Sequence, residues 1–121
     1  MRYLVFVSMR PDVGPPPRAL IDAMGEEMEQ AFASGLITDG GGLPPSRTEI
    51  RLAGGQVTVT DGPFAEAKEV VGGFSIVNVE SEEEAIASAQ LVIDLHLKHW
   101  PGWEGSVEVR RISDEEPDTW D

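Results

Sequence analysis

The chain has 121 residues, which suits one domain, and 40% of them are hydrophobic, enough to build an apolar core. Its net charge of −13 argues against a nucleic acid or an anionic membrane surface as partner, because both require a footprint of Lys and Arg. The absence of cysteine excludes disulfides, thiolate catalysis and cysteine-based zinc sites. No apolar run reaches the length of a membrane span and the start does not resemble a secretory signal, so we expect a cytoplasmic protein.

The first part of the chain predicts a strand, a helix and a second strand. Residues 3–9 are almost continuously apolar, which is typical of a strand buried on both faces. Apolar residues then recur at helical spacing over residues 18–34, and Gly35 suits the position just after a helix. Residues 36–39 indicate a short strand that runs into the glycines 40–42.

A hairpin is predicted next. Residues 47–52 alternate charged or polar side chains with Ile50 and Leu52, the pattern of a half-buried strand. Gly54 and Gly55 form a credible tight turn into the β-like residues 56–60.

The last part predicts a strand, a helix, a strand and a tail. Residues 74–79 read as a strand, and Ser81 with Glu84 forms a capping box in which each side chain satisfies a backbone amide of the other. The helix they start should end near residue 100, before Pro101, and residues 106–112 form the last strand. We therefore expect a single domain over residues 1–113 and a mobile acidic tail over residues 114–121.

The predicted order, β-α-β, hairpin, β-α-β, indicates an α+β protein. Two helices and one antiparallel-rich sheet fit a ferredoxin-like split βαβ arrangement with an added hairpin. Such a sheet has helices on one face only, so its other face needs cover. A homodimer would supply that cover.

A contiguous motif follows the hairpin. It consists of D-G-P-F at residues 61–64, A-E-A-K-E at residues 65–69 and G-G-F at residues 72–74. This motif resembles that of the DGPF proteins within the YCII-related (YciI-like) family, and the likeness extends over nearly the whole chain. The resemblance implies the ferredoxin-like fold and dimers whose sheets meet as an α+β barrel.

Asp61 is the first candidate for a chemical role. It ends a strand beside Gly62, where a partly desolvated carboxylate could serve as a general base. The alternative is that its side chain caps the turn by accepting hydrogen bonds from nearby backbone amides.

Five further residues are candidates for binding a ligand in and around the hairpin and the motif. Phe64 offers an apolar anchor, and Glu66 and Lys68 could orient an anionic ligand or form a solvated ion pair. Arg47 and Arg51 share one strand face, where guanidinium groups bind carboxylates well or take part in a cross-strand charge ladder.

The two histidines lie near the end of the second predicted helix. A spacing of three puts His96 and His99 within reach of a shared partner, and histidine suits proton transfer near neutral pH. His96 continues an apolar stripe and should point to the core or a pocket, while His99 could instead serve as a cation at the helix end. Trp100, with Trp103, could floor a ligand pocket or pack in a dimer interface. The spacing alone does not support a metal site, and we expect no cofactor.

The resemblance carries over incompletely. Better-understood YciI-like proteins are thought to use a His/Asp site with the histidine on the first helix, but this chain has no histidine before residue 96. Any acid–base pair must therefore combine a second-helix histidine with Asp61 or Asp39. Two functions stay open: binding or converting a small acidic molecule in a helix–sheet pocket, or a non-catalytic accessory role, since DGPF-like domains occur beside extracytoplasmic-function sigma factors.

Overall fold

Two helices lie on one face of an antiparallel sheet. The computed structural model describes residues 1–62 and 69–120. In chain order the elements are β1 (Arg2–Met9), α1 (Arg18–Ser34), β2 (Ile37–Gly42), β3 (Thr48–Ala53), β4 (Gln56–Asp61), β5 (Val70–Asn78), α2 (Glu82–His99) and β6 (Gly105–Ile112), followed by a 3₁₀ turn at Pro117–Thr119.

The strand order of the main sheet is β2-β5-β1-β6, and every neighbouring pair is antiparallel. Each helix therefore connects two parallel strands that have a third strand between them, as in a split βαβ unit. The ferredoxin-like α+β fold predicted from the sequence is confirmed, and β3 and β4 form the added hairpin as a separate two-stranded sheet.

The core lies between this sheet and the helices. Tyr3 and Val5 of β1 and Val77 of β5 point inward and are buried. The helices meet them with the small residues Ala31 and Ala89, which let helix and sheet approach closely. The neighbouring odd-numbered positions of β6 are half-buried beside them, so the sheet is covered less completely towards that edge.

The opposite face of the sheet is open. Leu4 and Phe6 of β1 stand opposite Ile76 and Phe74 of β5, and all four side chains are only half-buried. Burial of β1 on both faces, expected from its apolar sequence, is not found within one chain. Both helices lie on the other face of the sheet, which explains the difference. We call the surface of these four residues the open sheet face.

Several local features follow from single residues. Gly35 ends α1 with a φ of 82°, the left-handed conformation expected after a helix. The glycines 40–42 belong to β2 instead of following it, and Gly40 is required there because a Cβ would lie 2.8 Å from the Phe74 carbonyl oxygen. The Ser81 hydroxyl accepts a hydrogen bond from the Glu84 N–H at 3.3 Å, as predicted. The Glu84 carboxylate accepts from the N–H of Glu80 and not from that of Ser81, so the predicted return bond was wrong by one residue.

The β3–β4 hairpin forms a two-stranded sheet separate from the main sheet. Gly54 and Gly55 form its turn with φ values of 57° and 76°, as the tight turn requires. The sequence predicted a half-buried first strand over residues 47–52, but all residues of β3 and β4 except Glu49 are exposed. At its base, Gly62 N–H donates to the Arg47 carbonyl oxygen at 2.7 Å. We call this hairpin the arm.

In residues 1–62 and 69–120, neither helix combines the length and apolarity needed to cross a membrane.

The residues after β6 contact the rest of the chain and one another. Asp114 forms an exposed ion pair with Arg2 at 2.9 Å, and the Trp120 indole N–H donates to the Glu115 carbonyl oxygen. The division into a domain and a mobile tail at residue 113 stays a prediction.

Candidate functional site

The C-terminal end of α2 brings three aromatic side chains together. His96 follows Ala85 and Ala89 on the inward face of the helix, which is why its ring is buried. Pro101 cannot continue the helix, and Gly102, with a φ of 81°, reverses the chain. The Trp103 N–H then donates to the Trp100 carbonyl oxygen at 3.1 Å, and this turn returns Trp103 to the end of the helix.

The rings of this cluster are in contact range of one another. The centroids of His96 and Trp103 are 4.4 Å apart with the rings tilted by 43°. Trp100 stacks near His96 at 6.3 Å and lies at the same distance from Trp103. These separations are typical of favourable aromatic pairs, so the cluster holds the imidazole in one orientation. We call it the aromatic cluster.

His96 is held in a defined protonation state. Its Nδ1 lies 2.8 Å from the Val92 carbonyl oxygen, and because a carbonyl can only accept, Nδ1 carries the proton. Burial lowers the pKa of His96 below its ordinary value, and the hydrogen bond to Val92 opposes this only in part. The ring is therefore neutral at pH 7, and its Nε2 has a lone pair that can accept a hydrogen bond or a proton.

Trp103 has a buried donor that is not used within the chain. In the described part of the chain, its indole N–H has no hydrogen-bond partner although the nitrogen is fully buried. Leaving such a group unpaired costs about 1–3 kcal/mol, so an acceptor atom that reached it after a small shift of the ring would be favoured here. Sequence reasoning identified Trp103 as an aromatic surface only, because the unpaired N–H depends on how the ring is packed.

Gly105 makes room for the Trp103 ring. A Cβ at this position would collide with the six-membered part of the indole and would lie 2.5 Å from the Ser8 carbonyl oxygen. Gly105 starts β6 opposite Met9, so the ring sits directly on the edge of the sheet. The sequence showed no sign of this role, since a glycine at the start of a strand has many other uses.

Two adjoining grooves run along this side of α2. The first, of about 430 Å³, is lined by Ile93, Leu97, Trp103, Glu104 and Gly105. The second, of about 600 Å³, lies between α2 and β6 and is lined by Ile86, Ala89, Gln90, Ile93, Asp94, Val107 and Val109. They share Ile93, and both combine apolar walls with a single carboxylate. We call them the Trp103 groove and the α2–β6 groove.

Asp61 is engaged at the base of the arm. Its Oδ1 accepts from the Thr48 hydroxyl at 2.7 Å, a cross-strand bond, and the side chain is exposed. Among the described residues, no hydrogen bond connects it to His96 or His99. His99 is half-buried in the last turn of α2. Their joint role in proton transfer stays a prediction.

Two of the ligand-binding candidates predicted around the hairpin, Arg47 and Arg51, lie among the described residues. The Arg51 guanidinium pairs with the Glu49 carboxylate of its own strand at 3.1 Å, whereas the predicted ladder would have crossed strands. This exposed pair contributes little to stability. Arg47 lies just before β3, and its carbonyl oxygen accepts from Gly62. Phe64, Glu66 and Lys68 lie outside the described residues.

Comparison with known proteins places the chain in a family. A family model for the YCII-related domain matches residues 1–115. No curated protein matches the chain significantly. The matched residues cover both helices, all the described strands and the aromatic cluster. From the extent of this match, the chain belongs to the YCII-related family.

Proposed function

We propose that this YCII-related protein binds a small weak acid in the Trp103 groove and that His96 takes up its proton. The observation that carries the proposal is the pairing of an unused donor and an unused acceptor. The buried Trp103 N–H has no partner among the described residues, and the neutral His96 ring lies 4.4 Å from the indole with Nε2 unprotonated.

The Trp103 N–H and the Nε2 of His96 suit a ligand that both accepts and donates a hydrogen bond. A carboxylic acid or phenol can accept from the Trp103 N–H through one oxygen and offer its O–H to Nε2 of His96. A neutral histidine is a suitable general base near pH 7. His99, one turn further along α2, is the second proton-transfer group of the proposal.

The charges around the grooves select the protonation state of the ligand. Glu104 lines the Trp103 groove and Asp94 lines the adjoining one, and the chain has a net charge of −13. These carboxylates disfavour an anion and favour the neutral acid. The ligand should therefore enter protonated and lose its proton only beside His96.

The proposal extends to the assembly and location of the protein. A second copy would cover the open sheet face, because Leu4, Phe6, Phe74 and Ile76 form a contiguous apolar surface that no helix covers in the described chain. We expect a cytoplasmic homodimer. Closing two such sheets on each other would produce the α+β barrel implied by the family resemblance.

A ligand screen tests the site directly. Thermal-shift measurements with benzoic acid and phenols, followed by calorimetry, should detect binding to the native chain. Trp103→Phe keeps the ring but removes the N–H, and we expect affinity to fall about 5–30-fold, the equivalent of one buried hydrogen bond. Trp120→Phe is the matched control, because that indole N–H already has a partner in the tail.

The outcomes separate the proposal from simple packing. His96→Asn should also weaken binding of the acid, while its methyl ester, which accepts a hydrogen bond but cannot donate one to His96, should bind the native chain poorly. If no weak acid binds, or if Trp103→Phe binds as tightly as the native chain, the site proposal is wrong.

A second candidate function is a non-catalytic accessory role, including one linked to extracytoplasmic-function sigma factors. The exposed apolar side of the arm favours it, since such surfaces mark protein contacts. Co-elution of the purified chain with a purified sigma factor of this class, lost on polar substitution of the arm, would support this role. Absence of a complex at micromolar concentrations would exclude it.

A further inference from the structure

The arm has one apolar face that nothing in the described chain covers. Ile50 stands opposite Val59 and Leu52 opposite Val57, so these four side chains lie side by side on the same face. They are 65–72% exposed. An isolated two-stranded hairpin is only marginally stable in water, so this face is suited to burial against another surface.

We propose that the arm docks in the α2–β6 groove of a second copy of this chain and brings Asp61 of the partner subunit to the Trp103 groove. The proposal rests on the homodimer proposed above. It assigns one occupant to the apolar face of the arm and makes the acid–base site a shared one.

In the proposed dimer, the strand order of the main sheet places the arm near the α2–β6 groove of the partner subunit. β2 and β6 are the two edge strands of the main sheet. In the proposed dimer, two sheets close into a barrel about a two-fold axis parallel to the barrel axis, which sets β2 of one copy beside β6 of the other. The arm continues from the β2–β5 ladder, since the Leu43 N–H still donates to the Gly72 carbonyl oxygen beyond the end of β2. It therefore extends towards the edge of the partner subunit that carries the α2–β6 groove.

The two surfaces agree in chemistry. The groove is lined mainly by aliphatic side chains of α2 and β6, among them Ile86, which is 42% exposed. The arm carries Arg47 and Arg51 against Glu49 and Asp61 and so has no net charge, whereas the whole chain carries −13. A neutral arm can approach another strongly acidic copy without the repulsion that other parts of the surface would meet.

The buried area is sufficient for a specific contact. Two arms and two grooves related by a two-fold axis would together remove on the order of 1,000 Å² from water, the lower limit for a biological interface. The open sheet faces would add to this area.

The spacings along the arm and along α2 also match. Asp61 lies two residues beyond Val59 on the same face of β4, about 7 Å along the strand. Leu97 lies one helical turn beyond Ile93, about 6 Å along α2. With Val59 against Ile93, Asp61 of the partner subunit arrives beside Leu97, at the Trp103 groove. This arrangement would join the carboxylate to the histidine end of α2, to which no hydrogen bond connects it among the described residues of one chain.

Engineered disulfides test the placement, and the absence of native cysteine makes the result unambiguous. The double variants Val59→Cys/Ile93→Cys and Asp61→Cys/Leu97→Cys should each give a covalent dimer on a non-reducing gel after mild oxidation. Val59→Cys/Ile21→Cys is the control, because Ile21 is exposed on α1, away from the groove. It should remain uncrosslinked.

A second measurement examines the energetics of the arm. Val57→Thr/Val59→Thr keeps the β-branched shape while making the face polar, and we expect at least a tenfold weaker dimer by analytical ultracentrifugation. Thr58→Ser/Thr60→Ser changes the opposite face and should leave the dimer unchanged. A monomeric native chain would overturn both the dimer and the arm proposal. A native dimer that is insensitive to the valine substitutions and forms neither disulfide would overturn the arm proposal alone.

Discussion

The ring centroids of the His96 imidazole and the Trp103 indole lie 4.4 Å apart, and each ring has one nitrogen without a hydrogen-bond partner among the described residues. The Nδ1 of the histidine is bound to Val92, and the turn after α2 fixes the tryptophan through its backbone. The remaining imidazole nitrogen and the buried indole N–H have no hydrogen-bond partner among the described residues. This cluster and the elements that hold it lead to four testable expectations.

The first concerns the titration of His96 in solution. Burial holds the pKa of His96 below its ordinary value of 6.5, so its ring should lose the proton at lower pH than an exposed histidine. NMR titration of Asp61→Asn, which removes the carboxylate that a partner subunit would supply, should show this lowered pKa. If that carboxylate approaches the ring in the native dimer, the pKa of His96 should be higher in the native protein than in Asp61→Asn. An identical curve in both proteins would argue against the shared site.

The second concerns stability in acid. Because the folded-state pKa of His96 is lowered, the unfolded chain binds more protons below pH 6.5, and stability is lost as the pH falls through the folded pKa. Urea unfolding of Asp61→Asn between pH 7.5 and pH 5.5 should show a loss of up to about 1.4 kcal/mol per pH unit from this group. Adding His96→Gln should remove the contribution of His96 to the pH dependence of the free energy of unfolding. An unchanged pH dependence would contradict the prediction.

The third concerns the glycine under the indole. Gly105→Ala adds a methyl group that collides with the Trp103 ring and the Ser8 carbonyl oxygen. We expect this overpacking to destabilise the fold by about 1–3 kcal/mol. Urea unfolding followed by tryptophan fluorescence measures this directly. Gly41→Ala is the matched control within a strand, because a Cβ there meets no atom within 4 Å. Equal stability of the two variants would show that the indole does not pack as described.

The fourth concerns the start of α2. Ser81→Ala removes the hydroxyl that accepts the Glu84 N–H, and loss of such a cap costs about 1 kcal/mol. Ser88→Ala, at a half-buried position inside the same helix, should be neutral or slightly stabilising because alanine favours helix. Thermal unfolding of both variants distinguishes capping from general helix propensity, and similar melting temperatures would contradict the capping role.

Much of the fold could be predicted because its elements have strong local patterns. The apolar period of α1, Gly35 at its end, the glycine turn of the arm and Pro101 after α2 each act within a few residues. Burial could not be predicted in the same way. The alternation around Ile50 shows that one face of the arm is apolar, but not that this chain leaves it uncovered.

The candidate site was predictable only in part, for a similar reason. The helical stripe correctly predicted that His96 points inward. The unpaired N–H of Trp103 and the space provided by Gly105 arise from packing between segments and have no local sequence pattern. In the proposed dimer, Asp61 meets the histidines only through assembly, which the spacing of residues along the sequence does not specify.

The base of the arm has a consequence for how this protein can change. Thr48 bonds to Asp61 and Arg47 bonds to Gly62, so the arm is closed by its own contacts before residue 63. The pairing of β5 with β1 and β2 is fixed separately, beyond Val70. The arm can therefore be lengthened, shortened or redirected without altering the register of the main sheet. In the proposed dimer, where the arm binds the partner subunit, mutation can therefore alter dimer affinity and core stability separately.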